Sequence, residues 1–285
     1  MATYDNIPLN WNDPLLSGVT SSSSVTLRDG GTLSYKSITD TGSTASVVGL
    51  GSFSLDHMRI SSREGVRIGG DGDVTISNSY LESTGQGSDH ADTIQIYAPG
   101  STGNVTITNT TIVAHTTAAT AGMFVADDWS GTLTFDNVVF QGGPFGLRIA
   151  ADANDISVSL KDVYFVGPFG YDDILFQEVN ADINITQWEN VRSATIVNGE
   201  LVPGPLIPPP FPVEGGGGGM TTIDHFSNDS GASGDGITND NTLTVSGSAA
   251  ANSTVKVFDG ATQIGTATAN SSGAWTYTTA ALTDG

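Results

Sequence analysis

Residues 87–112, GSDHADTIQIYAPGSTGNVTITNTTI, decide how the rest of the chain is read. A dense polar cluster, Ser88-Asp89-His90 with Asp92, runs into apolar alternation at Ile94 and Ile96. After one Gly-containing turn the alternation returns at Val105, Ile107 and Ile112. Alternation of period two marks a half-buried strand, and nothing here follows the 3.6-residue period of a helix. The polar cluster is then either the mouth of a site or a turn between two strands of a repeat.

The second half of the stretch recurs. Six segments align: SLDHMRI (54–60), TISNSYL (75–81), TITNTTI (106–112), TFDNVVF (134–140), SLKDVYF (159–165) and QWENVRS (187–193). One column holds His57, Asn78, Asn109, Asn137, Asp162 and Asn190, at intervals of 21, 31, 28, 25 and 28 residues. Two places earlier stand Leu55, Ile76, Ile107, Phe135, Leu160 and Trp188; three places later stand Ile60, Leu81, Ile112, Phe140 and Phe165. Further short strands fall at 65–69, 92–97, 122–126, 146–150 and 173–177. Such self-similarity predicts an all-β chain whose residues 1–202 form a right-handed parallel β-helix of about five to seven coils. Each coil bonds to the coils above and below, so aliphatic columns fill the interior. Stacked Asn side chains at a sharp turn bond to one another and to the turn backbone, which would otherwise be buried unpaired. Residues 1–53 are expected to hold irregular first coils and a cap over the open end.

Composition changes at 203–219, PGPLIPPPFPVEGGGGG, where a stiff Pro-rich half meets five flexible glycines. This reads as a linker, with residues 220–285 a separate domain. The chain carries 9 Lys+Arg against 30 Asp+Glu, a net charge of −21. That balance disfavours nucleic acid and anionic membranes, for want of phosphate-neutralising surface. It suits calcium, whose ligands are hard oxygens. No apolar run reaches membrane-spanning length, and the first residues lack the basic and apolar regions of a signal peptide. The chain has no cysteine, which removes disulfides and thiolate metal sites. Expected from this are an extracellular or cell-surface bacterial protein, exported without an N-terminal signal peptide, and no membrane insertion.

Two resemblances follow from particular residues. GDGITNDNT (234–242), STVKVFDG (253–260), IGTATA (264–269) and SGAWTYTTAALTDG (272–285) resemble the bacterial Ig-like repeats of secreted adhesins and RTX-type exoproteins. The resemblance implies a partial β-sandwich, and Asp229, Asp235 and Asp240 as junctional calcium ligands. HADTIQIY followed by VTITNTTI resembles the β-helix polysaccharide lyases, at the level of architecture. The GHG and RIK blocks of the polygalacturonases are absent.

The strand series places Arg67, Gln95, Phe124, Arg148 and Leu175 outward between inward apolar neighbours, with Tyr97, Asp127, Asp128, Trp129 and Tyr171 at the nearby corners. Planar polar groups and aromatic faces in one groove are the chemistry of carbohydrate recognition. Gln95, Phe124, Asp127, Asp128, Trp129 and Tyr171 are the expected substrate contacts. The lyase resemblance implies Arg67 and Arg148 on a uronate carboxylate, and His90 with Tyr97 in proton transfer. Asp89 and Asp92 become calcium ligands, or Asp92 simply caps backbone N–H groups in a turn. The arginines equally suit pairing with Asp56, Glu64, Asp71 or Asp73. Asp127-Asp128 and Asp172-Asp173 also fit the carboxylate pairs of glycoside hydrolases, or solvated corners. His115 and His225 show no evident partner. Three functions stay open: a lyase cleaving an acidic or bacterial exopolysaccharide, a glycoside hydrolase, and a non-catalytic glycan-binding adhesin or matrix protein, any of them trimeric in the manner of tailspikes.

Overall fold

The alternating segments fold into three parallel ladders around one interior, the walls of a parallel β-solenoid of about six turns. A computed structural model describes residues 6–86, 91–115, 119–213, 221–223, 225–226, 238–249, 253–260, 262–270 and 273–282. The chain divides into two compact units, Met1–Ile185 with Glu189–Phe211, and Thr186–Trp188 with Pro212–Gly285.

The first wall stacks Gly31–Ser34, Phe53–Asp56 and Val74–Ser77 on the leading halves of Thr102–Ala114, Ser130–Gly142 and Ile156–Val166. Its register places Leu33, Leu55, Ile76, Ile107, Phe135 and Leu160 in one column. Past a corner the same strands turn into the second wall, where Ile38, Ile60, Leu81, Ile112, Phe140 and Phe165 stack inward. All six are essentially fully buried, and the Phe140 and Phe165 rings lie 5.3 Å apart and nearly parallel. The third wall comprises the ends of Lys36–Leu50 and Arg59–Gly69, then Ile94–Ile96, Met123–Val125, Phe145–Ala151 and Asp172–Glu178. Each buried Leu, Ile or Phe contributes roughly 1.5–3 kcal/mol, so these columns supply the main driving force for coiling.

The polar column lies at the corner between the first and second walls. His57, Asn78, Asn109, Asn137, Asp162 and Asn190 all have positive φ, from 46° to 60°, and Tyr35 extends the series at 51°. A corner tight enough to turn a strand through one residue needs the left-handed region, which Asn and Asp reach more readily than other non-glycine residues. His57 fits by stacking on Tyr35 at 4.4 Å and bonding Asp56 through Nδ1 at 2.7 Å.

Two expectations need correction. Residues 20–53 are not irregular: Thr20–Ser22, Val25–Arg28 and Gly31–Ser34 already stack in parallel register on the coil above. Their pattern is weak because a terminal coil has a neighbour on one side only. Of the described residues before 54, the segment 6–19 lies outside the coils. It runs as a strap along the second wall, with Ile7 in one buried cluster with Val139, Tyr164, Val166, Ala194 and Leu201, and Leu16 in another with Tyr80 and Val113. Asp13 caps the short 3-10 turn Pro14–Leu16 at Leu15 N–H. At the other end, residues 203–206 of the expected linker belong to Glu200–Leu206, an antiparallel partner of Arg192–Val197. Pro203 is tolerated there because an edge strand does not need every N–H.

In the second unit His225–Phe226, Thr244–Ser248 and Ala274–Thr278 form an antiparallel sheet, and Thr254–Asp259 pairs with Thr262–Thr268. Val255, Val257, Ala269 and Trp275 make its core. No helix among the described residues is long and apolar enough to cross a membrane.

Candidate functional site

On the third wall inward and outward residues alternate, and successive coils put like positions side by side. The register aligns Val48, Arg67, Gln95, Phe124, Arg148 and Leu175 in one outward column. Neighbouring rungs are about 4.8 Å apart, so Arg67 and Arg148 stand roughly 14 Å from each other along the wall. Val66, Ile94, Met123 and Leu147 hold the same strands from the inside and are all fully buried.

The two arginines are held differently. Arg67 donates from Nε and Nη2 to Glu64 at 2.8 and 2.6 Å, a bidentate pair whose acid is largely buried. Its guanidinium also lies 5.0 Å from the Tyr97 ring centre. Of the alternatives for Arg67, pairing with Glu64 is therefore the one realised, and Glu64 already neutralises its charge. Arg148 donates from Nε and Nη2 to the neutral Gln177 Oε1 at 3.2 and 3.0 Å. Its guanidinium sits 4.8 Å from the Phe124 ring and 6.0 Å from Phe145. Phe145 in turn stacks on Tyr171, which is 81% exposed, while Tyr97 is 52% exposed.

Of the opening SDHAD cluster, Asp89 and His90 lie outside the described residues. Asp92 is fully buried: Oδ1 accepts the Thr120 and Ala121 N–H groups at 2.8 and 2.6 Å, and Oδ2 has no hydrogen-bond partner among the described residues. Burial pushes its pKa up to about 7; the two N–H donors and Arg148 oppose this, and Glu64 adds to it. Asp92 thus ties the corner to the next coil rather than offering a carboxylate to solvent. Among the described residues no group of three or more His, Asp or Glu is placed to hold a metal. Asp229 and Asp235 also lie outside the described residues, and Asp240 Oδ1 accepts Thr242 N–H at 3.0 Å, as a turn cap does.

Trp129, expected at the open corner, is 2% exposed and cannot offer a face to a sugar. The corner folds it inward because Asp127 and Asp128 take consecutive left-handed conformations, φ 62° and 60°. Both their N–H groups donate to the Asp152 carboxylate, at 3.2 and 3.1 Å. Asp127 is pushed up by partial burial and by its two acidic neighbours. Asp173, at the foot of the same wall, is pushed up to about 6 by burial and by Asp172 beside it. Glu64 was among the expected partners of the arginines, whereas Phe145 and Gln177, which complete the wall, were missed as contacts. Only the coil register, which puts Gln177 one rung from Ala150, could have found the last of them.

His115 has a partner after all: Nε2 lies 2.9 Å from Glu82. Hydrogen bonding to that acid raises its pKa despite partial burial. The side chain of His225 lies outside the described residues.

The family model of a bacterial Ig-like domain matches residues 220–285. Comparison with curated proteins and with solved structures finds no match. Bacterial Ig-like domains are typical of surface or extracellular proteins, and with the β-solenoid this one is consistent with a secreted, carbohydrate-related protein.

Proposed function

We propose that the solenoid binds an acidic polysaccharide outside the cell, laid along its third wall. The observation that carries this reading is Arg148, a cation bonded to a neutral amide and framed by Phe124 and Phe145. Among the described residues it makes no ion pair, whereas Arg67 is neutralised by Glu64. In a chain of net charge −21, such a cation held in place by an aromatic face and an amide is suited to a carboxylate that presents two parallel oxygens. The exposed rings of Tyr97, beside Arg67, and of Tyr171, stacked on Phe145, lie along the same wall and suit the apolar faces of sugar rings.

A second reading, hydrolysis of the bound chain, is favoured by Asp173. A carboxyl pushed up to about 6 beside a second carboxyl can retain a proton near neutrality and give it to a leaving oxygen. Elimination would draw its base from His90, as the lyase resemblance implies.

Binding of the full chain to alginate, pectate and glucuronan, with dextran as neutral control, tests the proposal. Arg148→Gln is expected to weaken binding to the acidic polymers by tenfold or more and to leave the fold unchanged. Equal binding to dextran, or an unaffected variant, would overturn it. Products with a new carbon–carbon double bond identify a lyase; new reducing ends without it identify a hydrolase, lost in Asp173→Asn.

A further inference from the structure

The corner column has one broken rung. Each ladder amide donates its Nδ2 to the coil before it: Asn109 to Asn78 Oδ1 at 3.1 Å, Asn137 to Asn109 Oδ1 at 2.8 Å, Asn190 to Asp162 Oδ1 at 2.6 Å. Asp162 stands where the donor to Asn137 belongs, and a carboxylate has no hydrogen to give. Asn137 Oδ1 is accordingly buried without a hydrogen-bond partner among the described residues, on a residue only 6% exposed.

The same corner holds a cavity of about 390 Å³, lined by Asp136, Asn137, Lys161 and Asp162 of the coils and by Asn6 of the strap. Asp136 and Lys161 are neighbours in register on the first wall, one place before the ladder. Lys161 Nζ is 3.5 Å from Asp136 Oδ2 and 4.0 Å from Asp162 Oδ2, a loose contact from a side chain 38% exposed. Two carboxylates and one ammonium leave the cavity one negative charge in excess.

We propose that this cavity is a divalent-cation site, with Asn137 Oδ1, Asp162 and Asp136 as its protein ligands and calcium as the ion that fits. Two acceptors confronting each other across a rung, one of them anionic, call for a group that is positive toward both. A water molecule supplies hydrogens but leaves the charge; a cation supplies what both oxygens lack. The donors are all oxygen, and the cavity has room for the waters that complete a coordination shell. Calcium accepts such an irregular, part-hydrated shell, whereas magnesium demands a near-ideal octahedron and zinc prefers nitrogen and sulfur. Lys161 occupies the place of the ion's charge and competes with it, and its exposure lets it withdraw. The site lies at the corner between the first and second walls, and its fate is independent of polysaccharide binding on the third.

Thermal unfolding of the full chain with EDTA and with excess CaCl2 tests the site, read on the solenoid transition. The native chain is expected to gain a few degrees with calcium. Asp162→Asn restores the missing Nδ2 donor and keeps a residue that tolerates positive φ. It should melt roughly 2–4 °C higher than the native chain in EDTA and show no calcium response in that transition. Lys161→Met removes the competing ammonium and should reach half its calcium response at lower concentration. The proposal is overturned if the native solenoid transition ignores calcium, or if Asp162→Asn gains as much from calcium as the native chain does.

Discussion

Asn109 shows why one residue type recurs at the corner. Its backbone sits at φ 46°, its Nδ2 donates to Asn78, and its Oδ1 accepts from Asn137. The column was legible because one side chain satisfies all three demands, so chemistry and spacing repeat together. The sign of φ was not legible, since hydrogen bonding alone accounts for Asn. Asp92 is the reverse case: its place before a strand could be read, but whether it faced solvent or backbone depended on a loop of another coil, at Thr120 and Ala121. Its burial carries a pH signature. A carboxyl raised from 3.8 to about 7 holds a proton in the folded state that the unfolded chain has lost. Stability is therefore greatest below the lower value and declines as pH rises through this window, by up to about 1.4 kcal/mol per unit. Asp92→Asn should lack that decline. Urea unfolding of both proteins at intervals from pH 4 to 7 checks this, because subtracting the two curves cancels every other group; parallel curves would refute the buried-acid assignment.

At the scale of elements, the walls were readable where a strand has neighbours on both sides and faint at the ends. Period two gave Ile94–Ile96 and Met123–Val125 their inward faces, and the column offsets gave their register. Close packing at turns left no pattern: a Cβ on Gly131 would lie 1.9 Å from Gly103 O, yet each glycine alone reads as an ordinary turn. The strap was invisible because its apolar residues, Ile7, Leu9, Trp11 and Leu16, follow no period and answer to the outside of a wall. Leu16 is fully buried, while its neighbour Leu15 is 41% exposed. Leu16→Ala should cost about 2–4 kcal/mol through lost burial and a residual cavity. Leu15→Ala should cost under about 0.5 kcal/mol. Equal effects in chemical denaturation would mean that the strap does not hold to the wall in solution.

Across the whole molecule charge works against compactness. With −21 spread over both sides of residue 203, self-repulsion is general rather than confined to a tail. Raising NaCl from low to moderate concentration should therefore increase the melting temperature, by screening repulsion over a Debye length of about 8–10 Å; a fall would show that ion pairs such as Arg67 with Glu64 outweigh it. The solenoid also differs from a simple stack, in which each coil answers only to its neighbours and ends fray alone. The strap that precedes the coils is buried with the last of them, since Ile7 shares one apolar cluster with Tyr164, Ala194 and Leu201. As the chain leaves the ribosome, coils can form in order, but the seam along the second wall stays open until residues near 200 arrive. Closing that seam late joins a one-dimensional array into a single latch, so that the array holds, or opens, as a whole.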